Sequence, residues 1–444
     1  MAAAGRSQAA KAVAVQAKTG SACFRVPETW EPLRCLGSGG YAVVAAFRVG
    51  GGGSTDEAEV VAVKKVERVF DHPVLALRTL REVRLLAHFR HCNVLGFRGL
   101  FLEGPDFEDA YLCLDMMDCD LHHLIHNGKE RLSDYQVQMV LYQVLRGLLA
   151  LRRAHVVHRD LKPGNVLIRT SGGEVRIADL GLARSIDAGE EDTHDYSVLT
   201  EYVVTRYYRA PEVVLTATKY TYAVDMWSTG CILGEMLTRR PIFAGKDALD
   251  QIRKIVNALG RQTPEDMDWI PRSSSAWMFV ERCNQSVDGE ALRSLLQSQG
   301  ANPLAMSLLE EMLRFDPSRR VSVEVALQHS YLSAFGPAED PEVAAANAVE
   351  PVDWSFDRNL CFDEHGEPKA YDKQSFRRAF LDADFLLAPP VPALPLEAPV
   401  PAGVGHERGG GATAAGAQGM PTVGAPIAAP ATGGSTRHRR WGAK

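Results

Sequence analysis

One short polar segment carries most of the residues that could do chemistry. It reads His158-Arg159-Asp160-Leu161-Lys162-Pro163-Gly164-Asn165, and Asp179 follows in Asp179-Leu180-Gly181. Asp160 could orient an attacking hydroxyl group and accept its proton, and Lys162 could meet the charge of a phosphoryl group in transfer. Asn165 and Asp179 offer oxygen ligands of the kind that Mg²⁺ prefers. These residue types predict phosphoryl transfer, with Asp160 as the base and Asn165 and Asp179 as metal ligands.

A glycine-rich segment nearer the N-terminus could hold the phosphates of a nucleotide. It reads Leu36-Gly37-Ser38-Gly39-Gly40-Tyr41-Ala42-Val43-Val44. Glycine lets the backbone come close to a phosphate because no Cβ intervenes. By itself such a segment is more often only a turn, and Ala42 stands where a third glycine would complete the usual spacing. The glycine-rich segment therefore predicts phosphate binding only in combination with the other motifs.

Lys64 is a second candidate for contacting phosphate. It closes the apolar run Val61-Ala62-Val63-Lys64, where a buried ammonium group would need an opposite charge. Glu82, in a later helical pattern, is a suitable partner. The glycine-rich segment, Lys64, the Asp160 segment and Asp179 follow one another in the order of the kinase signature motifs. We therefore predict that Lys64 and Glu82 take part in catalysis.

Two halves of different composition must position these residues. Residues 33–115 read as strands with one amphipathic helix, because apolar residues alternate or run together over 41–47 and 60–66 and recur at helical spacing over 75–88. Residues 121–332 are mostly helical in pattern. A strand-rich half followed by a helix-rich half predicts two lobes with a ligand cleft between them.

Composition excludes several other classes of protein. The net charge of -6 gives no basic field for nucleic acid, and the eight cysteines are scattered without metal-ligand or disulfide spacing. The chain has no run of eighteen apolar residues that would span a membrane.

The two terminal segments differ in composition from the rest of the chain. The first 27 residues contain no acidic residue and are rich in alanine, which fits either a flexible leader or an organellar transit peptide. Beyond Leu387, a tail rich in Pro, Ala and Gly is expected to be disordered.

Together, these motifs resemble the eukaryotic protein kinase family over residues 30–332. The resemblance implies an α+β, bilobal protein kinase fold that binds ATP and Mg²⁺, with Leu114 at the gatekeeper position. It also implies that His158, Leu180 and Leu86 stack between the lobes, that Glu212 pairs with Arg320, and that Asp225 anchors the catalytic loop. The residues implied to contact ATP are Leu36, Gly37, Ser38, Gly39, Gly40, Tyr41, Ala42, Val43, Val44, Ala62, Lys64, Asp115, Met117 and Leu167.

Two positions depart from the family pattern. Leu180 stands where the family usually has phenylalanine, and Ala42 replaces a glycine. Leucine still packs as an apolar side chain, so we expect a shifted balance between active and inactive states rather than an inactive protein. Ala42 would stiffen the loop without blocking phosphate contact.

The triplet Thr200-Glu201-Tyr202 resembles the activation site of the extracellular-signal-regulated class of mitogen-activated protein (MAP) kinases. It lies before Thr205-Arg206-Tyr207-Tyr208-Arg209-Ala210-Pro211-Glu212. The resemblance implies phosphorylation of Thr200 and Tyr202 by a dual-specificity MAP kinase kinase, and phosphorylation of Ser or Thr followed by Pro in substrates. Arginine binds phosphate bidentately. Arg81, Arg159 and Arg184 resemble the receptor for phosphothreonine, and Arg206 and Arg209 resemble the receptor for phosphotyrosine.

Segments after the kinase motifs support the same resemblance. Residues 245–252 are similar to the start of the insert shared by MAP kinases and cyclin-dependent kinases. Residues 356–380 resemble the extension that MAP kinases wrap back onto the small lobe. Glu339 and Asp340 are either an acidic docking patch for basic partner peptides and phosphatases or an ordinary acidic loop, and Gly336 replaces one expected acid.

The resulting interpretation is a MAP kinase with five regions. We predict a leader (1–29), a small lobe (30–117), a large lobe (118–334), a C-terminal extension (335–386) and a disordered tail (387–444).

Two alternative functions remain. A pseudokinase scaffold would lack Lys64, Asp160, Asn165 or Asp179, and a cyclin-dependent-like kinase would ordinarily lack Tyr202. We expect a cytoplasmic protein, and Arg437-His438-Arg439-Arg440 is either a nuclear-import patch or a solvated basic terminus.

Overall fold

The computed structural model describes residues 10–17, 20–49, 59–186, 206–216, 221–287, 291–335 and 349–382. Within these ranges the chain forms a strand-rich small lobe and a helical large lobe. The main core is continuous through both lobes and runs on to the helices of the C-terminal extension. The bilobal arrangement expected from the two halves of the sequence is confirmed.

A five-stranded antiparallel sheet with one long helix builds the small lobe. The strand order is β3-β4-β5-β7-β6, and α1 packs against the inner face through an apolar side that includes Leu80 and Leu86. His72 caps α1, and proline follows as its first residue, where the missing N–H costs nothing. The elements are β3 (Glu31–Ser38), β4 (Ala42–Arg48), β5 (Val60–Val66), α1 (Pro73–His88), β6 (Phe97–Leu102) and β7 (Ala110–Asp115).

The N-terminal segment differs from the flexible leader that its composition predicted. β1 (Ala10–Ala17) and β2 (Gly20–Pro27) pair as an antiparallel hairpin. Phe24 is fully buried, and its ring lies 5.4 Å from Phe47 and 6.4 Å from Tyr111, measured between centroids. The hairpin covers the outer face of the sheet with apolar residues that alternate along β2, and this burial outweighs the weak strand preference of alanine.

Helices dominate the large lobe around a central, almost completely buried helix, α5. Trp227 of α5 is fully buried and stacks on Phe243 at 5.5 Å. Ser133 and Gln136 form a reciprocal capping box that starts α3. The helices are α2 (Leu121–Asn127), α3 (Asp134–Arg153), α4 (Pro211–Leu215), α5 (Ala223–Thr238), α6 (Ala248–Leu259), α7 (Ser275–Asn284), α8 (Ala291–Ser298), α9 (Pro303–Met312) and α10 (Val323–Leu327).

Short strands in the large lobe border the catalytic segment. β10 lies between β11 and β8, and β12 pairs with β9. These pairings place the loop that follows β9 beside the loop that follows β11, which brings the Asp160 and Asp179 segments together. The strands are β8 (Cys119–Asp120), β9 (Val156–Val157), β10 (Val166–Arg169), β11 (Glu174–Ile177) and β12 (Arg184–Ser185).

The C-terminal extension returns to the small lobe. It contains α11 (Ser355–Cys361) and α12 (Lys373–Leu381). Phe380 of α12 is fully buried, with its ring 5.9 Å from both Phe70 and Phe107. Arg377 donates a 2.8 Å hydrogen bond to Glu108 beside them. The extension therefore closes one side of the small lobe around α1.

Candidate active site

Asp160 lies in the cleft with its carboxylate held from two sides. Lys162 Nζ donates to Asp160 Oδ2 at 2.5 Å, and Asn165 Nδ2 donates to the same oxygen at 3.1 Å and to the Asp160 carbonyl at 2.8 Å. Pro163 begins a 3₁₀ turn that brings Asn165 back toward Asp160. Among the described residues, the second carboxylate oxygen, Oδ1, has no hydrogen-bond partner and is placed to accept a substrate proton. This arrangement suits general-base catalysis.

The backbone of the catalytic segment is anchored by Asp225 of α5, as the resemblance implied. Its two carboxylate oxygens accept hydrogen bonds from His158 N at 2.8 Å and Arg159 N at 3.0 Å. Burial raises the pKa of Asp225, and the nearby His158 and the two N–H donors act against that rise. Arg159 has a φ of 68°, a left-handed conformation that a non-glycine residue adopts only when its surroundings enforce it. Asp225 supplies that constraint.

Asp179 stands next to the catalytic segment. Ala178 N donates to the Asn165 carbonyl at 2.9 Å, and His158 Nε2 lies 3.0 Å from the Ala178 carbonyl. Asp179 itself has left-handed angles, φ 65° and ψ 68°. Burial works against its charge, but Lys64 and Lys162 outweigh burial and the pKa of Asp179 is lowered. Asp179 is therefore an ionised carboxylate that directly follows a residue bonded to the Asn165 backbone.

Lys64 and Glu82 form the ion pair that the sequence predicted. Lys64 Nζ lies 2.7 Å from both carboxylate oxygens of Glu82. Burial alone would lower the pKa of Lys64, but Glu82 and Asp179 outweigh it and the pKa is raised. Burial raises the pKa of Glu82, and the ammonium group of Lys64 counters that rise. The pair joins β5 to α1 and places a cation beside Asp179.

The glycine-rich segment forms the turn between β3 and β4. Gly39 N donates to the Ala42 carbonyl at 2.8 Å, and Gly37 faces Val44 across the hairpin. A Cβ added at Gly37 or Gly40 would lie more than 4 Å from every atom of the described residues other than the two chain neighbours. Contacts with the described residues therefore do not require glycine at these two positions, and the open space would admit a ligand close to the backbone.

The apolar residues expected around the adenine belong to the main core. Ala62, Leu114 and Met117 are buried, and Leu167 is partly buried within the same core. Asp115 lies between Met117 and the gatekeeper position, and its carboxylate is held by Arg98 and Arg176, one from each lobe. Sequence reasoning missed this clamp, because nothing in the motifs links Arg98 of β6 to Arg176 of β11. The other segment residues, Leu36, Ser38, Tyr41 and Val43, lie on the turn and its strands.

Two structural supports named from the resemblance are also present. Arg320 donates from Nη1 and Nη2 to the carboxylate of Glu212 at 2.6 and 3.0 Å. Leu180 and Leu86 are buried in one shared core, and His158 is fully buried as well. Leucine in place of phenylalanine at 180 is thus fully buried.

The predicted phosphate-binding arginines lie within the described residues, but the phosphorylation sites that they would serve do not. Thr200 and Tyr202 lie outside the described residues, as do Gly336, Glu339 and Asp340. Arg184 is buried and donates to the Ala183 carbonyl at 2.9 Å, and Arg206 donates to the Lys246 carbonyl at 2.6 Å. The roles of Arg159, Arg184, Arg206 and Arg209 as phosphate receptors stay predictions.

Arg81 has a partner that sequence reasoning did not foresee. Its Nε and Nη2 atoms donate to Asp357 Oδ1 and Oδ2 at 2.7 and 2.8 Å. The two residues are 276 positions apart in the chain, and Asp357 follows Phe356 in a segment noted only for its family resemblance. The indication that the sequence offered for this pairing was the presence of an acidic residue in that segment.

Comparison with known proteins decides the family. Residues 30–332 match the protein kinase domain family. A fission yeast relative, "Mitogen-activated protein kinase spk1", is 41% identical over 335 residues, which cover 74% of this chain and 85% of the relative. "Mitogen-activated protein kinase 7" of Arabidopsis thaliana is 39% identical over 340 residues, covering 76% and 86%. The chain belongs to the MAP kinase family. "Extracellular signal-regulated kinase 1" of Dictyostelium discoideum is 40% identical over 76% of this chain and 61% of its own length.

This family membership settles the reaction class. The protein is a MAP-kinase-type serine/threonine kinase, and the active-site geometry agrees because Lys64, Glu82, Asp160, Asn165 and Asp179 are brought together. The pseudokinase and cyclin-dependent-like alternatives are accordingly disfavoured. MAP kinases act on protein substrates and are controlled by upstream kinases in general. No helix in the described ranges is long and apolar enough to span a membrane.

Members of the protein kinase family generally use ATP and Mg²⁺. The residues present fit the metal, because Asn165 offers an amide oxygen and Asp179 an ionised carboxylate. Among the described residues, no cluster of three or more His, Cys, Asp or Glu side chains could hold a metal ion by itself.

Proposed function

We propose that this MAP kinase transfers the γ-phosphoryl group of ATP to serine or threonine followed by proline in substrate proteins. We further propose that phosphorylation of Thr200 and Tyr202 by an upstream dual-specificity MAP kinase kinase activates it. The observation that carries the proposal is the joint geometry of two groups: the Lys64–Glu82 pair at 2.7 Å and the Asp160 carboxylate bound by Lys162 and Asn165.

The chain's own residues supply positioning and charge. Asp160 orients the substrate hydroxyl and accepts its proton, while Lys162, already 2.5 Å from Asp160, can meet the negative charge of the group in transfer. Lys64, held by Glu82, binds nucleotide phosphates, and the glycine turn admits them closely. When bound, Mg²⁺ would be held by Asn165 and Asp179 and would neutralise charge on the phosphates.

Charge placement supports the proposed switch. Arg159 directly precedes Asp160, and Arg81 directly precedes Glu82. A phosphate, which adds roughly -1.5 to -2 charges at neutral pH, would therefore act on residues joined by one peptide bond to the catalytic base and to the ion pair. Arg206 and Arg209 would receive the phosphate of Tyr202.

Partners and location follow from the same proposal. Glu339 and Asp340 would dock basic peptides of substrates, activators and phosphatases. The protein would reside in the cytoplasm, and the terminal segment Arg437-His438-Arg439-Arg440 would support entry into the nucleus.

A phosphotransfer assay on Ser-Pro and Thr-Pro peptides tests the proposal. Wild type is compared with Asp160→Asn, Thr200→Ala and Tyr202→Phe, before and after treatment with an activating kinase. We expect Asp160→Asn to lower kcat by about 10²-fold or more, because the base contributes that much to proton transfer. Thr200→Ala and Tyr202→Phe should retain basal activity but fail to respond to treatment.

A peptide with alanine in place of proline serves as the control for specificity. Equal rates on both peptides would contradict proline direction. Equal activity of unmodified and doubly phosphorylated protein would contradict the switch while leaving the catalytic assignment intact.

A further inference from the structure

The C-terminal extension contacts α1 along one side of the helix. Besides the Arg81–Asp357 pair, Arg84 Nη2 donates to the Ala379 carbonyl at 3.1 Å, and His88 Nε2 lies 2.8 Å from the Glu350 carbonyl. Positions 81, 84 and 88 are spaced by three and four residues, so they share one helical face. The extension thus follows α1 over two turns.

The Arg81–Asp357 contact is the strongest of these. Both guanidinium–carboxylate bonds are short, and the side chains are only 6% and 16% exposed. A bidentate pair fixes the orientation of the guanidinium as well as its position, and charge assistance makes its hydrogen bonds stronger than neutral ones. Because the pair is largely shielded from solvent, loss of one partner leaves an uncompensated charge.

Asp357 is itself held firmly. The preceding residue, Phe356, stacks on Trp354 with centroids 5.9 Å apart and faces the Arg84 guanidinium at 5.5 Å. Trp354 and Cys361, at the two ends of α11, are both buried. The packing of α11 therefore holds Asp357 in place, and the ion pair with Asp357 holds the side chain of Arg81.

Arg81 and Glu82 restrain α1 in two different directions. Consecutive side chains on an α-helix point about 100° apart. Glu82 reaches inward to Lys64, while Arg81 reaches sideways to Asp357. A rotation of α1 that separated Glu82 from Lys64 would also pull Arg81 from Asp357. The two ion pairs together fix the rotation of the helix about its axis.

We propose that Asp357 is a positioning residue for phosphoryl transfer, which acts through Arg81 to keep Glu82 on Lys64. A carboxylate from the C-terminal extension thereby supports the nucleotide-binding ion pair from outside the active site. It does so in the unmodified chain, before any phosphate reaches Arg81.

Kinetics of the unmodified full-length protein test this proposal. We expect Asp357→Asn to lower kcat/KM for ATP about tenfold, equivalent to about 1.4 kcal/mol, and Asp357→Glu to retain most of the activity because its carboxylate can still pair. Glu364→Gln is the matched control, since it removes one negative charge from the same extension at a side chain that is 87% exposed. It should change kcat/KM by less than about twofold.

A double-mutant cycle separates positioning from general stability. If Asp357 acts through Glu82, Asp357→Asn should add less than about twofold to the loss already caused by Glu82→Gln. Unchanged kcat/KM in Asp357→Asn, or full additivity with Glu82→Gln, would overturn the proposal. Arg81→Lys covers the case in which Asp357→Asn does not fold: it keeps the charge but loses the planar fork, and should lower kcat/KM several-fold.

Phosphorylated protein gives one further readout, which rests on the proposed switch. A phosphate on Thr200 would supply Arg81 with a second anion, so the deficit of Asp357→Asn should shrink to about threefold or less after activation. If activation did not change the activity of wild type, the proposed switch would be wrong. The kcat/KM deficit of Asp357→Asn in unmodified protein would still test the role of Asp357 independently.

Discussion

His91 is a buried histidine outside the active site that makes the stability of this kinase depend on pH. Its Nδ1 accepts a 3.1 Å hydrogen bond from Asn93 N, which requires that nitrogen to be unprotonated. Burial, reinforced by Arg146, Arg153 and Arg176, lowers the pKa of His91 to about 3. The unfolded chain binds a proton near pH 6.5 and the folded chain does not. Stability is therefore full above pH 6.5 and falls as the pH drops from 6.5 toward 3.

We predict that His91→Gln flattens this pH dependence. Between pH 7 and pH 5, wild type should lose about 2 kcal/mol more of its free energy of unfolding than the variant. Urea unfolding at both pH values measures the difference. His365→Gln is the control, because that side chain is 78% exposed, and it should follow wild type. Parallel losses in wild type and His91→Gln would contradict the prediction.

At the scale of elements, the N-terminal hairpin is the clearest addition to the sequence interpretation. In β2, exposed Cys23 and Arg25 separate the buried residues Ala22, Phe24 and Val26. Phe24 joins the aromatic cluster with Phe47 and Tyr111. The hairpin thus protects the outer face of the sheet whose inner face carries Lys64.

Phe24→Ala should lower the free energy of unfolding by about 3–5 kcal/mol, since it removes a fully buried ring. Thermal or urea unfolding measures the loss. Cys23→Ala, on the exposed side of the same strand, should change stability by less than about 0.5 kcal/mol. Equal effects of the two substitutions would show that the hairpin does not pack on the sheet in solution.

At the scale of the whole molecule, residues far apart in the sequence share one core: Phe70 and Phe380 are 310 positions apart. Phe380 and Arg377 of α12 lie against Phe70, Phe107 and Glu108 of the small lobe. The same extension supplies Asp357 to α1. Docking of α12 and positioning of α1 should therefore be coupled.

Phe380→Ala should test this coupling. The lost ring should lower the free energy of unfolding by about 3 kcal/mol or more and should increase hydrogen exchange in α1 as well as in α12. Gln374→Ala, on the exposed face of α12, is the matched control. Faster exchange confined to α12 would mean that the extension and α1 move independently.

Much of this protein was predictable from residues alone. Lys64, Glu82, Asp160, Asn165 and Asp179 each have a chemical role that few residue types can fill, so their order and spacing identify the reaction. Periodicity likewise predicted β5 over residues 60–66 and α1 close to its observed start and end, because burial of one face imposes a regular pattern.

Other features were decided only by the tertiary structure. The left-handed backbone at Arg159 and Asp179, the clamp of Arg98 and Arg176 on Asp115, and the packing of the Ala-rich N-terminus depend on contacts between distant segments. No local pattern encodes such contacts. The same is true of Arg81: its residue type and its position before Glu82 predicted an anion receptor, but only the folded chain showed that Asp357 is an anion already there.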